Sequence, residues 1–329
     1  MDNSARLPLL SLPSLVIDAV LSTMIPFELI NLSKASTTCK LIVKSFSKNR
    51  IHKNFKISVS NIEDPVIRFT RTRDCYILVI TDDNEKDGTL ESEDEDDYHS
   101  EVAYVYSDEE HTMRKCMDVF TDISDLFNVD IDDCGLYLSN FKELYETILG
   151  WLAANFNSDP ILSLHPREEP VALVEHTLNS LTMVKSLIIH SERTANCAYS
   201  IPDHIEVLII YCGEWVKLEH LLSFKALTIG IERSELTNED LNVLLKNWMN
   251  MESLQQLKRL RINITDPENF DSVLQDIPHR VGQPDRISYR YPEYEHLNGG
   301  FDIERKDGKA ASIFVQRWPD FHVMLIEIV

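Results

Sequence analysis

Residues 7–46 read LPLLSLPSLVIDAVLSTMIPFELINLSKASTTCKLIVKSF, and this stretch decides how the N-terminal part folds. Pro13 opens a helix, since proline is tolerated in a first turn where its missing N–H would be unpaired anyway. The run behind it is nearly continuous: Leu15, Val16, Ile17, Val20, Leu21 and Met24. A surface helix needs one apolar stripe. This one is apolar on at least two sides, so it faces either two internal neighbours or one neighbour and a partner. Pro26 ends it. Phe27, Leu29, Ile30 and Leu32 begin a second short helix, and Ser36, Thr37 or Thr38 caps a third that carries Leu41, Ile42 and Phe46. Three short helices in about forty residues cannot bury all of these side chains among themselves. The excess apolar surface asks for a partner.

Downstream, Ile57–Ser60, Val66–Arg71 and Tyr76–Thr81 are β-branched, partly alternating and separated by turn residues, which predicts a small antiparallel sheet. Residues 82–110 then carry fourteen acids against one lysine, within a chain of net charge −22. Such a segment buries too little apolar area to offset ordering and reads as a disordered acidic insertion. Asp83, Glu85, Asp87, Gly88, Glu91 and Asp94 fall at calcium-loop offsets. A strand precedes them and no helix follows, so the pattern does not carry a metal site. Ser92 and Ser107 each have acids on their C-terminal side, the flank that acidophilic kinases prefer. Val102, Tyr104 and Tyr106 alternate as a short closing strand would.

Beyond residue 113 the pattern becomes rhythmic. Helical spacing marks Met113–Phe127, Phe141–Phe156, Val171–Leu181, Leu218–Phe224, Asn238–Asn250 and Asn269–Ile277. Between them stand strands with a common word: Leu187-Ile188-Ile189, Leu208-Ile209-Ile210, Leu227-Thr228-Ile229 and Leu260-Arg261-Ile262. A strand-plus-helix unit at such intervals marks leucine-rich-repeat architecture, here irregular and without its asparagine-rich consensus. Thr237 and Asp240 are spaced as a capping box before Leu241, Leu244, Leu245 and Trp248, whose common face makes Trp248 a core residue. Asp307-Gly308 signals a hairpin within an antiparallel meander that caps the array. The fold class is thus α/β. Its parts are a three-helix module at 1–52, a small β region at 53–112 with the insertion 82–110, the leucine-rich-repeat-like α/β array at 113–298, and the β meander at 299–329.

Two sets of words resemble a known family. Leu12-Pro13-Ser14-Leu15-Val16-Ile17-Asp18-Ala19-Val20-Leu21 and Pro26-Phe27-Glu28-Leu29-Ile30-Asn31-Leu32-Ser33 resemble an F-box, with wording most like the nematode F-box proteins. Many F-boxes place a Cys and a Trp where this chain has Ser36 and Cys39. The stretches 236–248 and 299–313 resemble the F-box-associated (type 2) domain of the same proteins. The resemblance implies a substrate-recognition subunit of an SCF-type ubiquitin ligase. The helices would dock on the Skp-type adaptor, which is held by a cullin, and the C-terminal array would bind an unidentified target protein. It implies Leu12, Pro13, Val16, Ile17, Val20, Leu21, Leu29 and Leu32 as adaptor anchors, and catalysis by other subunits. The alternative is a non-catalytic interaction scaffold that binds the adaptor without promoting ubiquitination.

Other function classes find little support in the sequence. No glycine-rich phosphate loop, metalloprotease helix or nucleophile elbow occurs, so no catalytic residue, cofactor or metal is expected. The six cysteines, at 39, 75, 116, 134, 197 and 212, form no C-x-x-C pair and read as reduced thiols, which places the chain in the cytoplasm or nucleus. Overall acidity argues against nucleic acid or an anionic membrane surface as partner. Lys40, Lys44 and Lys48 stand four apart as a basic stripe on the third helix.

Overall fold

Pro26 and Ser36 cut the opening stretch into three helices. These are α1 (Ser14–Leu21), α2 (Pro26–Ala35) and α3 (Thr37–Ser47). At the start of α2 the Glu28 carboxylate accepts the Ile25 N–H at 3.0 Å, and at the start of α3 the Ser36 hydroxyl accepts the Cys39 N–H at 3.1 Å. Each bond satisfies one of the donors a helix start leaves unpaired. The computed structural model describes residues 11–48, 55–61, 63–95, 98–166, 170–190, 199–282, 300–317 and 321–328. Leu7–Leu10, Asp96, Asp97, Cys197 and Gly299 lie outside the described residues, as does the stretch 283–298 of the expected array.

The chain divides into two units. The first runs to Leu136 and includes Gly150–Ser158; the second holds Tyr137–Leu149 and everything from Asp159 onward. Both are mixed α/β.

In the first unit the helices are followed by β1 (Lys56–Ser60), β2 (Val66–Arg71), β3 (Asp74–Thr81), β4 (Leu90–Glu95), β5 (Tyr98–Tyr106), α4 (Thr112–Phe127) and β6 (Ile131–Leu136). Their sheet has the order β6-β1-β2-β3-β5-β4. The meander β1-β2-β3 is antiparallel, while β6 joins β1 and β5 joins β3 in parallel. Aromatic contacts tie the helices to this sheet. Phe27 of α2 meets Tyr76 of β3 edge-on at 6.0 Å, and Phe127 of α4 meets Phe69 of β2 at 6.1 Å. Such pairs add about 0.5–1.5 kcal/mol each beyond their burial.

Two expectations are corrected here. Within 82–110 the described residues include two strands: β4 pairs antiparallel with β5, and β5 runs along β3 through Val102, Ala103, Tyr104 and Val105. The acids misled because charge dominates the segment, whereas an edge strand holds its charged side chains in water and still completes its ladder. The hairpin also occupies the calcium-like carboxylates. Asp87 accepts the Tyr106 N–H at 2.9 Å, and Glu91 accepts the Tyr104 hydroxyl at 2.9 Å. The boundary at residue 113 moves as well. Helix α4 and strand β6 belong with the first sheet rather than with the array, because β6 finds its partner in β1.

Helix α5 (Tyr145–Asn155) and strand β7 (Phe156–Leu164) are divided between the units in sequence. Phe156, which the helical spacing places on a helix, starts β7. The second unit continues with α6 (Val171–Ser180), β8 (Ser186–His190), β9 (Val207–Tyr211), α7 (Leu218–Ser223), β10 (Thr228–Ile231), α8 (Asn238–Asn250), β11 (Arg259–Ile264), β12 (Arg280–Val281), β13 (Phe301–Glu304), β14 (Ala310–Arg317) and β15 (His322–Ile328). Its sheet order is β12-β13-β14-β15-β11-β10-β9-β8-β7. From β7 to β11 the strands are parallel and neighbours in sequence are neighbours in space. The C-terminal strand β15 then pairs antiparallel with β11 and with β14. The stretch expected as a helix at 269–277 is a 3-10 segment, Pro267–Leu274, with a break at Asn269.

Alternation along the parallel strands creates two unlike faces. Leu162, Leu187, Ile189, Leu208, Ile210, Ile229, Leu260 and Ile262 are fully buried on one face. Burial of each such side chain contributes about 1.5–3 kcal/mol. Buried residues of the helices complete that core, among them Val174 and Leu178 of α6 and Leu241, Leu244, Leu245 and Trp248 of α8. Thr237 and Asp240 cap α8 reciprocally: the Asp240 N–H reaches the Thr237 hydroxyl and the Thr237 N–H reaches the Asp240 carboxylate. The Arg305 guanidinium covers the Trp248 ring at 5.3 Å.

Candidate docking helix and recognition sheet

Helix α1 has a buried side and a solvent side. At 100° per residue, Ile17 and Leu21 point inward, and both are buried. Leu15, Val16 and Ala19 occupy the opposite arc, Val20 flanks the buried side, and Leu12 precedes the helix. Leu15 is 81% exposed, Val16 is 43% exposed and Pro13 is exposed, while Leu12 and Val20 are half-buried. Leu41 on α3 is 62% exposed and adds to the apolar surface of this module.

The eight expected anchors therefore separate. Leu12, Pro13 and Val16 reach the solvent side of α1 or its start, whereas Ile17, Leu21 and Leu29 are core residues of the helical module, and Val20 on α1 and Leu32 on α2 are half-buried. Leu15 and Leu41, outside the expected set, are exposed as well. The helical wheel groups Leu15 with Ala19, about 40° apart, but packing decides that this arc faces outward. The lysine stripe is corrected too. Lys40 and Lys44 both hold Asp125 of α4, the former at 3.3 Å, so they tie α3 to α4. Hydrogen bonds from Lys44, then from Lys40, hold the Asp125 carboxyl below its usual range.

The second surface is the half-exposed face of the parallel sheet in the second unit. Strand register aligns His165, His190 and Tyr211, one after the other, at the carboxyl ends of β7, β8 and β9. Their rings stack into a ladder with Tyr137. Centroid separations are 4.6 Å for Tyr137–His165, 4.2 Å for His165–His190 and 4.7 Å for His190–Tyr211, with planes within 20° of parallel. Partial burial lowers the His190 pKa below its ordinary value. The next row holds Ile188, Ile209, Gly230 and Arg261. A Cβ at Gly230 would stand 2.8 Å from the Ile209 side chain, so glycine there leaves Ile209 its room. Arg261 pairs with Glu232 at 3.2 Å, and Arg259 pairs with Glu327 across the β11–β15 ladder at 2.8 Å. The face thus offers ring edges, two half-buried isoleucines and paired charges.

Four of the thiols lie in the core. Cys39, Cys75, Cys116 and Cys134 are buried. Burial pushes the Cys116 thiol up to about 12 and raises Cys134 as well. A thiol so raised supplies almost no thiolate at neutral pH. Among the described residues, no group of three His, Cys, Asp or Glu side chains could hold a metal ion, and no helix is long and apolar enough to cross a membrane.

Comparison with known proteins adds one similarity. A family model described as "F-box associated" matches residues 200–262, which contain β9, α7, β10, α8 and most of β11. The match thus includes Ile209, Tyr211, Gly230 and Arg261 of the half-exposed face. No curated protein and no solved structure matches the chain.

Proposed function

We propose that this chain is the substrate-recognition subunit of an SCF-type ubiquitin ligase. In this reading the outward face of α1 docks on the Skp-type adaptor, and the half-exposed sheet face of the second unit receives a target protein. The F-box associated match at 200–262 carries the proposal. The exposed Leu15, Val16 and Leu41 support it, since they supply the kind of apolar anchor that dominates binding energy once desolvated. The chain itself is assigned no catalytic step. Ubiquitin transfer belongs to the other subunits, and the site of action is the cytoplasm or the nucleus.

Titration of purified Skp-type adaptor into the full chain tests the assignment. Wild type binds, and Leu12→Ala/Pro13→Ala binds at least tenfold more weakly. Equal binding by both, or none by wild type, contradicts it.

A further inference from the structure

We infer that Ser92 is a phosphorylation site for an acidophilic protein kinase, and that its phosphate loosens the β4–β5 hairpin. Ser92 and Ser107 are equivalent in sequence, each followed by three acids: Glu93, Asp94 and Glu95 after one, Asp108, Glu109 and Glu110 after the other. The fold separates them. Ser107 is half-buried, donates its N–H to Thr81 O at 2.9 Å and turns its hydroxyl to Asp108 O. Ser92 is exposed, in the middle of β4, the last strand of its sheet.

The ladder's own alternation opens Ser92 further. The Tyr104 N–H bonds Thr89 O, while the His99 and Ser107 N–H groups bond Arg73 O and Thr81 O on the β3 side. Even-numbered residues of β5 therefore face β4, and in β4 the bonded partners are Glu91 and Glu93. Leu90, Ser92 and Asp94 turn their main-chain N–H and C=O groups outward. A kinase cleft that holds its substrate extended can bond this edge without unpairing β4. Its basic side chains would meet the acids C-terminal to Ser92. Acids on an edge strand also guard it from pairing with another copy of the same chain. That role accounts for the charge and is compatible with modification.

The transfer is a simple displacement. The Ser92 Oγ attacks the γ-phosphorus of kinase-bound ATP, the Oγ–P bond forms, and the bond to the bridging oxygen breaks. ADP leaves with that oxygen, and the hydroxyl proton passes to the kinase's base. The product adds about −1.5 to −2 charges at neutral pH. Ser92 stands directly opposite Glu101 in a pair whose main chains do not bond each other, the arrangement that brings side chains closest. The Glu101 carboxylate already takes His99 Nε2 at 3.1 Å. Like charges directly opposed weaken strand pairing, so the phosphate pushes β4 from β5.

The full chain incubated with an acidophilic kinase and ATP, then mapped by mass spectrometry, tests both halves. Wild type and Ser107→Ala carry phosphate on Ser92, and Ser92→Ala loses most of the incorporation. Absence of phosphate from Ser92 in wild type, or equal incorporation in Ser92→Ala, overturns the site. In the phosphorylated chain the Glu91 and Glu93 amides exchange hydrogen roughly fivefold faster than before. Unchanged exchange with Ser92 fully phosphorylated overturns the loosening.

Discussion

Leu15 and Leu21 stand six residues apart on α1, and truncating each to alanine separates docking from folding. Leu21 is 0% exposed and Leu15 is 81% exposed. Leu21→Ala removes a buried side chain and leaves a cavity, a change that costs about 2–5 kcal/mol of stability. Leu15→Ala removes a side chain that water already surrounds, so stability stays within about 0.5 kcal/mol of wild type. On the adaptor the order reverses. If Leu15 becomes buried at the interface, its side chain contributes about 1.5–3 kcal/mol. Most of that is lost on truncation, which weakens binding by roughly 10- to 100-fold. Leu21→Ala, measured in conditions where the chain remains folded, binds nearly as wild type. Urea unfolding followed by circular dichroism reads the first pair of values, and calorimetric titration with adaptor reads the second. If Leu15→Ala unfolds as readily as Leu21→Ala, the described exposure is wrong. If Leu15→Ala folds and binds as wild type, α1 does not dock through its outward face.

Three further perturbations have signs fixed by the structure. Asp125→Asn releases Lys40 and Lys44. Because the pair is about half exposed, the loss is only ~0.2–1 kcal/mol, and it shrinks in high salt. The folded Asp125 pKa lies below its ordinary 3.8, so the wild-type advantage is complete above that value and disappears as pH falls through the folded pKa. Acid titration of stability for both chains shows it. Gly213→Ala drives a methyl against the Ile231 side chain and to 3.0 Å from the Glu232 carbonyl oxygen, and the backbone cannot retreat as a side chain can. The expected cost is about 1–3 kcal/mol in equilibrium unfolding. His190 has a folded pKa below 6.5, so the unfolded chain takes up its proton first and stability falls as pH drops below that value. In His190→Phe, which keeps a ring in the stack, thermal unfolding loses this part of its pH dependence.

Much of the fold was legible because local chemistry and packing agree. Pro26, Ser36 and the Thr237–Asp240 pair set helix starts, and they act within one turn of themselves. Val66–Arg71, Ser186–His190 and Arg259–Ile264 carry enough β-branched or alternating residues to read as strands, and the structure forms each of them. Errors arose where a distant partner decides. Nothing near Ile131–Leu136 says that it will lie parallel to β1. The acids of β4 conceal that β5 beside it is apolar enough to hold the edge in place. The docking face was half legible. Composition shows that α1 has more apolar surface than one neighbour can cover, but only the turn angle set by packing separates Leu15 and Val16 from Ile17 and Leu21. The ring ladder was not legible. Tyr137, His165, His190 and Tyr211 are scattered along the chain, and strand register alone brings His165, His190 and Tyr211 into one row.

The most direct measurement is hydrogen exchange of the full chain with and without Skp-type adaptor, resolved by peptide. The account predicts slowed exchange across residues 12–21, with strands β8 to β11 unchanged. No protection in α1 at saturating adaptor, or protection confined to the sheet of the second unit, would contradict it.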